Sequence, residues 1–85
     1  MPETSRFLGI IVTMYYDDHD DPHFHVRYGS IKARIAIDSL AVVSGSLPPR
    51  IRGLVIEWAA WHNELRRNWR LARQQQPLTP IEPLE

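Results

Sequence analysis

The sequence predicts an α+β domain: a three- to four-stranded antiparallel β-meander, then one long amphipathic helix packed on one face of it, then an extended proline-rich tail. Three observations predict this. Residues 7–16 are rich in β-branched and aromatic types, and residues 23–28 and 31–37 alternate between apolar and polar with period two. Residues 50–75 switch to apolar spacings of three and four. The closing PLTPIEPLE repeats with period three. Residues 1–85 read as a single domain, with the sheet over 7–43, the helix over 49–75 and the tail over 76–85. A chain of 85 residues supports one small core. Such a core yields a net stability of only a few kcal/mol, so partner contacts or a homodimer would help it.

The first strand is FLGIIVTMYY, residues 7–16, rich in β-branched and aromatic types. An acidic loop follows, DDHDDP, closed by Pro22. HFHVRYG then alternates: Phe24, Val26 and Tyr28 face one way, and His23, His25 and Arg27 the other. Gly29-Ser30 is a two-residue hairpin signal. Ile31, Ala33, Ile35 and Ile37 alternate with Lys32, Arg34 and Ala36. Asp38-Ser39 marks a turn, and Leu40 to Val43 completes the sheet as a short fourth strand. An antiparallel sheet of this pattern has one face on the core and one in water.

Pro49 suits the first turn of a helix, where its missing N–H is harmless. From Arg50 to about Gln75, Ile51, Leu54, Val55, Trp58, His62, Leu65, Trp69 and Ala72 form one stripe. Gly53 costs about 1 kcal/mol against alanine within a helix, which is expected where close packing requires it. At about 1.5 Å per residue the helix would span roughly 36–40 Å and overhang the sheet. In the tail, Leu78, Ile81 and Leu84 share one edge of a polyproline II helix, and Pro77, Pro80 and Pro83 another. The apolar edge is expected to dock on the helix or on a partner.

Composition narrows the function. Ten basic and ten acidic side chains give zero net charge, which argues against a globally basic nucleic-acid binder. Arg66, Arg67, Arg70 and Arg73 nevertheless crowd one segment. The absence of cysteine excludes disulfides and thiolate-bound zinc and suits a reducing compartment. The N-terminus lacks a basic start and a long apolar stretch, and no apolar run could span a bilayer. A cytoplasmic protein with no membrane partner is expected.

The candidate chemistry lies in YYDDHDDPHFHVRYG. His23 and His25 project from one face of a strand, as two ligands of a divalent metal can; Asp17 and Asp18 are the candidate ligands to complete the set. No cofactor is required, and a divalent metal is the one candidate. Alternatively His23, His25 and Arg27, with Lys32 and Arg34, form a face able to hold phosphate and move protons, as a metal-independent ribonuclease or phosphoesterase needs. A third reading gives these residues only the solubility of an outward face. His62 lies in the apolar stripe beside Trp58 and Leu65, where it could bond Asp17 or Asp18 and anchor the loop that Pro22 closes. Trp58 is expected in the core. Trp61, at the stripe's edge, and the tail residues Leu78, Ile81 and Leu84 are the candidate partner contacts.

The combination of MYYDDH, then PHFHV, then EWAAWHNELRRNW and the closing PLTPIEPLE resembles a small bacterial family, domain of unknown function 4160. The resemblance covers nearly the whole chain. Asp20-Asp21 departs from it by carrying more charge before the proline than relatives tend to have. The resemblance implies no established reaction. It implies a small protein partner encoded by a neighbouring gene, and a binding or regulatory role in a two-gene toxin–antitoxin-like module. RNA remains the alternative partner.

Overall fold

A computed structural model describes residues 3–16 and 21–84. The domain is α+β, with five strands in the order β1-β2-β3-β4-β5, every neighbouring pair antiparallel. They are β1 (Glu3–Phe7), β2 (Ile10–Thr13), β3 (His23–Tyr28), β4 (Ile31–Ala36) and β5 (Val42–Gly45). Two helices follow, α1 (Pro49–Ala60) and α2 (Glu64–Arg73). The expected three or four strands and single helix are therefore corrected on both counts.

The extra strand, β1, starts at Glu3, before the expected start of the sheet at Phe7, and a turn at Leu8-Gly9 interrupts the segment 7–16 expected as one strand. Leu8 has φ 52° and Gly9 φ 80°, so both central residues of the two-residue β1–β2 hairpin are left-handed. Glycine takes this conformation at no steric cost, whereas Leu8 does so at a cost of the order of 1 kcal/mol. The β3–β4 hairpin turns at Gly29-Ser30 as expected, with Gly29 at φ 61°. Gly45, at φ 73°, closes β5, and a Cβ there would lie 2.3 Å from the Lys32 carbonyl oxygen. That approach of the β5 backbone to β4 is open only to glycine.

Register sets the two faces of the sheet. Val12 pairs with Val26 and Val26 with Ala33, while Phe24 pairs with Ile35. All five are buried on the inner face, together with Phe7, Ile10 and Met14. The helices cover this face with Ile51, Val55, Trp58 and Ala59 from α1 and Leu65, Trp69 and Ala72 from α2. Trp58 is fully buried, with Phe7 at 5.4 Å and Phe24 at 6.1 Å between ring centroids. Gly53 is exposed, and nothing lies within 4 Å of a Cβ built on it. It serves no close approach.

The helix breaks at Trp61–Asn63. The Trp61 and His62 amides donate to the carbonyls of Trp58 and Ala59, three residues back, at 3.1 Å each, and Arg66 donates to Asn63 at 3.2 Å. This is the tighter 3₁₀ spacing. Asn63 takes the N-cap position of α2, and Glu64 supplies a carboxylate to its first turn, where the helix dipole favours negative charge. An unbroken helix over 49–75 would measure about 40 Å, against a longest Cα extent of 33 Å for the whole domain. The break lets α2 turn back over the sheet.

The tail docks on its own chain. Ile81 is buried, with Leu78 and Leu84 packed beside the core. Both amide atoms of the fully buried Asn68 are used: Nδ2 donates to the Thr79 carbonyl and Oδ1 accepts from the Thr79 N–H, each at 2.8 Å. The Trp58 indole Nε1 donates to the Glu82 carbonyl at 2.7 Å, and the Ile81 amide donates to the Thr4 carbonyl on edge strand β1 at 2.8 Å. Replacing Asn68 with alanine would leave the Thr79 backbone without both partners. The expected cost is about 2–4 kcal/mol, counting the two lost bonds and the stranded groups. Urea unfolding of Asn68→Ala measures it; a loss below about 1 kcal/mol would show that the pair does not hold the tail.

Candidate functional site

The outer face of the sheet is built by the same registers. Ile11 pairs with Arg27 and Arg27 with Lys32; Thr13 pairs with His25, and His25 with Arg34. Arg34 pairs in turn with Ser44. Along β3, His23, His25 and Arg27 alternate with the core residues as the sequence predicts. Burial separates them: Arg27 is exposed and His25 half-buried, but His23 is only 3% exposed. His23 therefore carries a structural role that alternation alone did not indicate.

Contacts with Trp69 and Asp21 help to bury His23. Its ring lies 5.1 Å from that of Trp69 on α2, centroid to centroid, and its Nδ1 lies 2.7 Å from the Asp21 carbonyl oxygen. A carbonyl only accepts, so Nδ1 carries the proton and donates. That bond sets the ring's orientation and tautomer and turns Nε2 away from Asp21. His25 follows, its ring 5.1 Å from His23 and 4.4 Å edge-on from Tyr15. A row of rings, Tyr15, His25, His23 and Trp69, thus crosses from the sheet to α2.

Among the described residues, charge on this face is mostly positive. Glu3 and Arg6 form a two-point ion pair, at 2.8 and 3.0 Å. The Arg6 hydrogen bond holds the Glu3 carboxyl below its usual range against slight desolvation, and Arg27 adds a weaker pull. Arg27 and Lys32 stand opposite each other with no ion pair among the described residues. A shallow pocket of about 140 Å³ is lined by Tyr15, His25, Arg27 and Lys32. A larger open cleft, about 920 Å³, lies where the end of β3 meets α2 and includes His23, Arg34, Trp69 and Arg73.

The other candidate residues disperse. His62 stacks on Trp58 at 5.4 Å and bonds Glu64 through Nδ1 at 3.2 Å. The Glu64 carboxyl is held low by a hydrogen bond from its own backbone N–H, against slight desolvation, and then by His62. The expected partners Asp17 and Asp18 lie outside the described residues, as do His19 and Asp20. Trp61 stands 78% exposed at the helix break. Leu78, Ile81 and Leu84 sit on the protein's own core, so the apolar edge of the tail is occupied within the chain. Pro22 precedes β3, and its carbonyl accepts the Ile37 amide at 3.0 Å.

Chemically, the outer face can hold a phosphate between Arg27 and Lys32, with the half-buried His25 imidazole beside them; His23 is buried behind it. Among the described residues no three His, Asp or Glu side chains gather to hold a metal ion. A metal at His23 and His25 would draw its further ligands from Asp17 and Asp18. No helix of the described residues is long and apolar enough to cross a membrane. Asn68 and Trp69 are the residues whose roles sequence reasoning missed. An asparagine within an apolar stripe signalled the first, and the contact of Trp69 with His23 has no local signal.

These features define a small α+β protein with a five-stranded meander, a helical cover and a cationic, histidine-bearing outer face. The chain belongs to the family named domain of unknown function DUF4160, whose model matches residues 9–70. No curated protein and no solved structure matches it.

The two histidines should separate on mutation. His23→Ala removes a buried ring and strands the Asp21 carbonyl, with an expected loss of about 2–4 kcal/mol. His25→Ala, on the half-buried side, should cost about 1 kcal/mol. Thermal or urea unfolding of both variants decides it, and equal losses would remove the distinction.

Proposed function

We propose that the protein is a binding module that holds the phosphate backbone of RNA on the outer face of its sheet. One observation carries this reading. Arg27 and Lys32 are directly opposed across β3 and β4, with no ion pair among the described residues. Like charges directly opposite in an antiparallel pair are destabilising. A bound polyanion turns that repulsion into attraction. The neighbouring Tyr15 and His25 rings offer surfaces on which a base can stack. Zero net charge on the chain is no obstacle, because the relevant quantity is the local field. His25, the half-buried imidazole beside Arg27 and Lys32, is the one placed to exchange a proton with a bound strand.

The test is fluorescence anisotropy with a labelled single-stranded oligoadenylate across a salt series. Each phosphate contact contributes about 0.7 to the slope of log affinity against log salt. Arg27→Gln and Lys32→Gln should each flatten that slope by about this amount. No saturable binding at low salt, or a double variant with the wild-type slope, would reject the reading.

A second reading is favoured by Trp61. An indole 78% exposed at a helix joint is the residue type that anchors protein interfaces. On this reading the protein is the binding or regulatory component of a two-gene, toxin–antitoxin-like module, and Trp61 meets the small protein encoded beside it. Co-expression of the two genes followed by pull-down is expected to recover a complex that Trp61→Ala weakens at least tenfold. Recovery unchanged by that substitution would place the contact elsewhere.

A further inference from the structure

We infer that the cleft between the end of β3 and α2 is a pocket for the terminal phosphate of a bound RNA strand, with Arg73 as its specificity residue. The inference rests on the reading of the outer face as an RNA-phosphate surface. Residues on one face of a strand advance about 6.6–6.8 Å per pair of positions, a step comparable to that between phosphates in an extended single strand. Along β4 the outward series is Lys32, Arg34, Ala36, and along β3, antiparallel to it, Arg27, His25, His23. Cations therefore run from the Arg27–Lys32 pair to Arg34 and stop at Ala36. There the cleft takes over.

At that point α2 brings in a replacement. Arg73, exposed in the last turn of α2, lines the cleft together with Arg34. Two arginines thus come to the cleft from different elements, with the small Ala36 side chain also in its lining. Trp69 and His23, 6% and 3% exposed, also line it. They are held by each other and by the Asp21 carbonyl, which makes that wall rigid. Among the described lining residues Asp21 is the one carboxylate, and Arg73 makes no ion pair among the described residues. A diester carries one negative charge, whereas a phosphate monoester carries about 1.5–2 at neutral pH. A guanidinium is suited to bidentate contact with phosphate oxygens. The recess thus suits a strand end better than strand interior.

The experiment compares oligoadenylates bearing a 5′-phosphate, a 3′-phosphate or neither, labelled at the opposite end or internally. One terminal phosphate should tighten binding to the wild-type protein about tenfold, the gain expected from one set of charge-assisted contacts. Arg73→Gln should abolish that gain without weakening the unphosphorylated strand by more than about twofold. Arg27→Gln should weaken all three strands equally and keep the gain. Asp21→Asn should enlarge it. Which end shows the gain fixes the polarity of the strand on the sheet. Binding of all three strands with equal affinity overturns the pocket and leaves the outer face standing. A gain that survives in Arg73→Gln overturns the role of Arg73. Binding of none of them overturns the pocket and the outer-face reading together.

Discussion

The reciprocal hydrogen bonds between the Asn68 amide and the Thr79 backbone are the constraint on which the rest of the structure depends. Asn68 has no exposed surface, and its polar atoms can be buried only because the backbone of one tail residue, Thr79, meets both. That pairing fixes where the chain lies after α2. It brings Ile81 into the core, sets the Glu82 carbonyl over the Trp58 indole, and lays the Ile81 amide against Thr4 at the sheet edge. The tail consequently covers part of β1, an edge that would otherwise present unpaired backbone groups. A domain of this size has little hydrophobic surface to spare, and the tail adds a third layer of apolar contacts without adding another element.

The same geometry requires the helix to break. A single rod of about 40 Å would carry Trp69 and Arg73 past the end of a domain whose Cα atoms extend 33 Å. The 3₁₀ turn at Trp61–Asn63 redirects α2, so Asn68 reaches the tail from one side and Trp69 reaches His23 from the other. Stability and the candidate site are thus coupled through two adjacent residues. The aromatic wall beside His23 exists because α2 is held there, and α2 is held partly by the residue that clasps the tail.

Much of this was legible in the sequence. Strict alternation placed β3 and β4 and their turn at Gly29-Ser30, because a one-residue slip would exchange the core and solvent faces. The three- and four-residue spacing found the inner side of both helices, and the period of three in the tail marked the edge that docks. What was not legible had physical reasons. Leu8-Gly9 lacks the Asn-Gly or Asp-Gly chemistry that announces a type I′ hairpin, so the turn hides inside a strand expected from Phe7, and residues 3–6 fall outside the expected sheet. The apolar stripe keeps its phase through Leu65, Trp69 and Ala72, which hides the break at Trp61–Asn63. His23 sits on the outward side of β3 by alternation and is nonetheless buried, because Trp69, 46 residues later, covers it. Local pattern carries no information about that cover.

Neutral composition also concealed how the charges are distributed. Of the described charged residues whose register places them on the outer face, Arg6, Arg27, Lys32 and Arg34 are basic and Glu3 alone is acidic, and Glu3 is committed to Arg6. Of the other described carboxylates, Glu57 and Glu64 lie on the helices. A small protein under selection for solubility alone gains from mixing signs on each face, and cross-strand pairs such as Arg27 with Lys32 work against stability. Retaining that opposition, in a domain with so small a stability margin, is what gives the outer face its chemical interest. His25 and the Tyr15 ring stand beside this cationic centre rather than apart from it, so a polyanion drawn to Arg27 and Lys32 would lie against the His25 imidazole as a matter of geometry.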